Sequence, residues 1–202
     1  MPPEQNMSLD ELQALSGTLH LQSPDELRQS MERLMANLPP EVQAVFRQHA
    51  ADAAARAPRP RLCDLSAAEL RALGGEELDS VVYDYVSEQV DKSDDPVAAL
   101  LALPRGLQVF YLSFIVEVEV MNGGLDQFFS NPSGAMAKLV APALRDLGAH
   151  EAAALFERAM SVASDEAALD RLNAPFVALA QAFPALRAGY VTAHEAQFLP
   201  GR

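Results

Sequence analysis

Apolar positions recur at helical spacing through most of the chain. In the stretch 76–93, Leu78, Val81, Val82, Tyr85, Val86 and Val90 fall three and four apart, which predicts a long helix with one buried face. A run over 41–55 places Val42, Val45, Phe46 and His49 on one side and predicts another. Two shorter helices are expected before it, at 8–16 and 24–37. Their starts are marked by hydroxyl and carboxylate pairs. Ser8, Ser23 and Ser66 each stand three residues before a Glu (Glu11, Glu26 and Glu69), so side chains can satisfy the orphan amides of a first turn reciprocally.

The central segment carries two patterns at once. Residues 115–120 alternate apolar and acidic with β-branched side chains, the pattern of a strand closed by an Asn-Gly turn. Yet Leu107, Phe110, Tyr111, Phe114, Val118 and Met121 keep helical spacing over about four turns, and no other segment supplies a strand partner. The segment is therefore read as a buried helix. Pro104 opens it, where a missing N–H does no harm, and Gly123 closes it in the left-handed conformation. Further helices are expected at 65–73, from Ser133 as N-cap to 147, and at 151–162, 166–172, 175–182 and 184–198.

The fold class is all-α: a compact multi-helix domain around a buried central helix, with an N-terminal helical extension. The sequence Ala57-Pro58-Arg59-Pro60-Arg61 cannot continue a helix, because each proline lacks an N–H and restricts its predecessor. This divides the chain into an extension at 1–57, a Pro-rich connector at 58–64 and a helical domain at 65–202.

The end of the central helix is unusually polar for its setting. Glu117, Glu119, Asn122, Gly123, Gly124, Gln127, Phe129 and Asn131 follow one another among residues that belong in a core. An unpaired buried polar group costs roughly 2–7 kcal/mol, so these groups must find partners. Glu119 and Asn122 can share a face, whereas Glu117 and Glu119 diverge by about 200° and do not form an obvious acid and base pair. The set is read as a structural motif, a polar lock between two helices.

Catalytic and metal-binding readings have less behind them. A metal held by Glu119, Asn122 and Asp126, or a base at Glu117 or Glu119, is the sharper alternative. None of His20, His49, His150 and His194 forms a Glu-x-x-His or His-x-x-x-His pair. Cys63 has no second cysteine and no histidine nearby in sequence, and the Gly pair lacks the lysine of a phosphate loop. No catalytic residue, metal or cofactor is expected.

Charge changes the picture more. The 202 residues carry a formal net charge of −13, which argues against nucleic acid or anionic lipid as a ligand and favours a basic protein partner. The acids are concentrated: ten lie in the stretch 64–95, against only Arg71 and Lys92. Glu77, Asp84, Glu88, Asp91 and Asp95 step by seven, four, three and four, forming a stripe opposite the apolar face of the long helix. Adjacent members lie about 4.5–6 Å apart along the axis, or about 10 Å where one is skipped, comparable with though sparser than the phosphates of a DNA strand. The plain alternative is a solvated face that keeps the protein soluble. With no apolar span and no basic, apolar leader at its start, the chain is expected to be cytoplasmic and to avoid membranes.

The run Glu117-x-Glu119-x-x-Asn122-Gly123-Gly124-x-x-Gln127-x-Phe129-x-Asn131 resembles the signature of a bacterial DNA-mimic protein family. Leu78-Asp79-Ser80-Val81-Val82-Tyr83-Asp84, Ala143-Leu144-Arg145-Asp146-Leu147-Gly148-Ala149 and the stretch 190–198 are similar to it as well, so the likeness spans about 65–198. Leu125 departs from it, standing where the family often has an aromatic residue. The resemblance implies an all-helical domain, a dimeric state, and an acidic surface that imitates DNA to occupy a nucleic-acid-binding protein such as a transcription regulator. An antitoxin or immunity-type binding protein is the second reading. An enzyme or metal-binding protein using the Glu119, Asn122 and Asp126 region is the third.

Overall fold

The computed structural model describes residues 38–55 and 59–199, in two units divided between Pro58 and Arg59. The helices expected at 8–16 and 24–37, with their caps at Ser8 and Ser23, lie outside the described residues. In the first unit, α1 (Pro40–Ala55) is helical as its spacing predicts. The Gln43 side chain donates to the Leu38 carbonyl at 2.9 Å and accepts from Arg47 at 2.6 Å. The face expected to be apolar and covered is open: Val42, Val45 and Phe46 are all exposed.

The second unit holds helices α2 (Ala67–Ala72), α3 (Gly75–Asp91), α4 (Pro96–Ala102), α5 (Arg105–Ser130), α6 (Ala137–Asp146), α7 (His150–Ser161), α8 (Glu166–Ala180) and α9 (Phe183–Ala193). Its described residues contain no strand, so the fold is all-α. The alternating stretch 115–120 is helical because Val116 and Val120 sit one turn apart and are both buried. At Ser66 the expected capping box is present: the Glu69 amide donates to the Ser66 hydroxyl at 3.2 Å, and the Ser66 amide to the Glu69 carboxylate at 2.7 Å.

α5 organises the unit. Its first turns, from Gly106 through Ser113, are buried on every side, as an apolar helix at the centre of a bundle must be. α3, α6, α8 and α9 all pack against it. A side chain at Gly106 would put its Cβ 2.8 Å from the Cβ of Gln197, so glycine here lets the turn Glu195–Gln197 close over the start of α5. The Gly106 amide donates to the Gln197 side chain at 2.6 Å. Further along, Phe128, Phe156, Phe176 and Phe183 form a chain of ring contacts with centroids 5.4, 6.1 and 6.0 Å apart, tying α5 to α7, α8 and α9.

Several boundaries differ from expectation. α3 ends at Asp91, and the Asp95 side chain accepts the Ala98 amide at 3.0 Å with Pro96 at the first helical position. Asp95, read as a member of the stripe, thus starts α4. The helices expected at 166–172 and 175–182 are one helix, α8, with Pro175 inside it. A proline interior to a helix costs about 3 kcal/mol; burial of Leu169, Phe176 and Ala180 on both sides of it works against that cost. Ser133 does not cap α6; it lies in the turn Pro132–Met136, and α6 begins without a side-chain cap. The segment 58–64, read as a connector, carries Leu62, which is 1 % exposed within the core.

The Gly pair differs as well. Gly123 keeps a negative φ of −153°, and Gly124 takes φ 84° and ψ −179°, a region that is essentially glycine-only. α5 is therefore two helical halves joined at a kink. A Cβ on Gly124 would stand 2.7 Å from the Asn173 amide nitrogen. Asn173 reaches in from α8 and accepts the Leu125 amide at 2.8 Å, which satisfies one of the donors that the broken helix exposes.

Candidate functional site

The polar residues at the end of α5 divide into two groups on different sides of the helix. Glu117 faces α3 and α9. There Arg187, 1 % exposed, donates from Nη1 to Glu117 at 2.6 Å and from Nε and Nη2 to the two oxygens of Asp79 at 2.8 and 2.5 Å. The guanidinium carbon also lies 5.5 and 5.3 Å from the ring centroids of Phe110 and Phe114. Burial pushes the Glu117 carboxyl above its ordinary range, with the pull of Arg187 only partly opposing it. For Arg187, desolvation acts to lower the pKa, but its bonds to Asp79 and its attraction to both carboxylates outweigh it and the net direction is upward.

Glu119 faces the second half of its own helix and the turn beyond. It accepts from the side-chain amides of Gln127 at 2.9 Å and Asn131 at 2.6 Å, and from the Ser133 hydroxyl at 3.0 Å. One carboxylate from before the kink thereby gathers three donors from beyond it, as far as the following turn. All three donors are neutral, so the charge of Glu119 is hydrogen-bonded but not cancelled. Phe129 packs on Phe128 and Phe156 beside this group.

Asn122 and Asp126 are not part of either group. Both are exposed, and neither is among the hydrogen-bond partners of Glu119. Among the described residues, no three His, Cys, Asp or Glu side chains are placed to hold a metal ion. Ser133, Asn173, Asp79 and Arg187 are the members that sequence reasoning missed. An arginine within the otherwise apolar run Phe183–Ala193 was a readable signal for Arg187. Nothing in the spacing could have named its partners, which lie 70 and 108 positions away.

The acidic stripe runs along α3 as its spacing predicts, with Glu77, Asp84, Glu88 and Asp91 all exposed. Asp95 has left the helix and is engaged as the cap of α4. The stripe is also partly neutralised from within the chain. Asp84 pairs with Arg59 at 3.1 Å, both side chains more than half exposed, and Glu88 pairs with Lys92 at 2.7 Å. Lys92, through its hydrogen bond and its charge, and Arg61 more weakly, hold the Glu88 carboxyl below its usual range. Glu77 and Asp91 have no ion pair among the described residues. Exposed pairs of this kind contribute little to stability, so a competing cation can take the place of Arg59 or Lys92 at little cost.

No helix among the described residues is long and apolar enough to cross a membrane. No curated protein and no solved structure matches the chain. Residues 101–196 match the family model described as DMP19-like protein. The matched stretch begins within α4 and contains the Gly pair, Glu117, Arg187 and the Glu119 group; Asp79, with α3 and its acidic stripe, lies outside it. Over α5 to α9, then, this chain is similar to a family of DNA mimics.

Proposed function

We propose that this is a non-enzymatic interaction protein that binds a basic, nucleic-acid-binding protein through the acidic face of α3, presenting carboxylates where DNA would present phosphates. The observation that carries the reading is the line of exposed carboxylates Glu77, Asp84, Glu88 and Asp91 on one continuous helix. The match of 101–196 to the DMP19-like family supports it. Arg187 contributes by pinning Asp79, and with it the inner side of α3, to α5 and α9, so that the stripe rides on a fixed element. A preorganised row of charges loses little freedom on binding. Occupying the partner's DNA-binding surface would inhibit it.

The test is capture of the partner from lysate at low and high salt, repeated with Asp84→Lys, Glu88→Lys and Asp91→Lys combined. Binding driven by complementary charge weakens as salt screens it. The expected result is a partner released by salt, lost by the reversed protein and displaced by duplex DNA. Retention of the same partner by the reversed protein would overturn the reading.

A further inference from the structure

The middle of the acidic line on α3 is met by cations of this same chain. Arg59 Nη1 lies 3.1 Å from Asp84 Oδ2, across 25 positions of sequence. Glu88 pairs with Lys92 at 2.7 Å. The two pairs differ in kind. Lys92 caps the end of α3 and comes with the helix itself, whereas Arg59 belongs to the segment before α2 and is brought to Asp84 by the fold.

The segment shows how it is held there. Leu62 is buried in the core, and the turn Leu62–Asp64 that carries it packs against α3. Upstream of this anchor, Arg61 is extended at φ −85° and ψ 139°. Pro60 has its own φ fixed by its ring and disfavours the helical region for Arg59. The three steps from Leu62 back to Arg59 span at most about 10 Å, so the guanidinium stays within reach of α3. A tether this short keeps its end group at an effective concentration on the order of millimolar or above. Arg61 bears on the same face: after Lys92, its charge helps to hold the Glu88 carboxyl below its usual range.

The Arg59 pair is suited to exchange. Its two side chains are 57 % and 56 % exposed, so water and dissolved ions reach both, and the pair contributes little to stability. A contact that costs the fold little to break still opposes a ligand, because a cation arriving at Asp84 meets one already tethered beside it.

We propose that the segment 59–61 is a resident competitor on the acidic face: in the free protein the Arg59 guanidinium occupies Asp84, and a basic partner binds α3 by displacing it. This is regulation of the surface argued under the proposed function, and it rests on that reading. The competitor sets a threshold. A ligand with one or two cations does not outweigh a tethered arginine, whereas a ligand with a row of cations engages Glu77 and Asp91 as well and takes Asp84 with them.

The test is calorimetric titration of the full chain with an octa-lysine peptide, in about 0.1 M salt so that charges beyond roughly 10 Å are largely screened. Arg59→Ala should bind the peptide about two- to fivefold more tightly than the parent, the effect of removing one exposed ion-pair competitor, with an unchanged melting temperature. Arg158→Ala removes the same charge from an exposed position on α7 and should change the affinity less than about 1.5-fold. In an Asp84→Asn background, Arg59→Ala should lose most of its effect, because the competition runs through that carboxylate.

No gain from Arg59→Ala, an equal gain from Arg158→Ala, or a gain that survives Asp84→Asn in full would each overturn the competitor. The acidic face stands without it if Asp84→Lys, Glu88→Lys and Asp91→Lys combined still abolish binding of the peptide. If that reversed protein binds octa-lysine as the parent does, or the parent does not bind it, both proposals fall.

Discussion

Replacing Arg187 by Met tests the central arrangement of the fold most directly. The change leaves a shorter, unbranched apolar side chain near Phe110 and Phe114. It removes the cation that Asp79 and Glu117 share. Their side chains are 14 % and 13 % exposed, so water cannot fully replace the guanidinium. Removing one partner of a buried ion pair costs about 3–5 kcal/mol, a large part of the roughly 5–15 kcal/mol that holds a typical domain together. At about 2–4 °C per kcal/mol for a chain of this size, the melting temperature should fall by roughly 10 °C. Urea unfolding followed by circular dichroism at pH 7 measures the loss.

The sign of its pH dependence is a second check. Burial already raises the Glu117 carboxyl against the pull of Arg187, so without Arg187 its folded pKa rises further above the unfolded one. Stability from such groups is present below the unfolded pKa and lost as pH rises through the folded one. The deficit of Arg187→Met should therefore shrink between pH 7 and pH 5. Adding Asp79→Leu and Glu117→Met should recover most of the loss, since an apolar replacement of a buried ion cluster is often neutral or stabilising. A single Arg187→Met variant within about 1 kcal/mol of the parent at pH 7, or a deficit that grows on acidification, would refute the reasoning.

Three further outcomes are expected. Gly124→Ala should cost about 2–4 kcal/mol, from a φ of 84° that alanine rarely adopts and a Cβ set against Asn173; Gly148→Ala, at φ 91° but with open space around its Cβ, should cost only about 1 kcal/mol, and the pair can be compared by thermal melts. Glu119→Ala should destabilise by about 2–3 kcal/mol because three donors lose one acceptor, with faster amide exchange in residues 119–133 as the local readout. For Glu117, whose folded pKa is raised, the matching stability is present below the ordinary carboxylate value and lost as pH rises through the folded one. Glu117→Gln lacks that component, so urea midpoints should show the parent gaining on the variant from pH 7 down to pH 5.

Some of the architecture could be read from local pattern because local pattern is its cause. The Ser66 and Glu69 cap, the apolar face of α3 and the central helix depend on residues within a turn or two of one another. The strand-like alternation at 115–120 could be judged correctly because a longer helical pattern ran through it. Where local cues competed, the outcome followed packing. Pro175 could have opened a helix, yet sits inside α8, where Leu169 and Phe176 are buried on either side. Asp95 could have closed α3, and instead caps α4.

By itself, the sequence determined the helical class, the polar break in the central helix and the acidic line on α3, because each is a matter of spacing along one helix. Only the tertiary structure decided which charges remain uncancelled. Arg187 meets Asp79 and Glu117 across 108 and 70 positions, Asn173 meets Leu125 across 48, and Arg59 meets Asp84 across 25. Such pairings depend on how helices stack, and short-range periodicity carries no record of them.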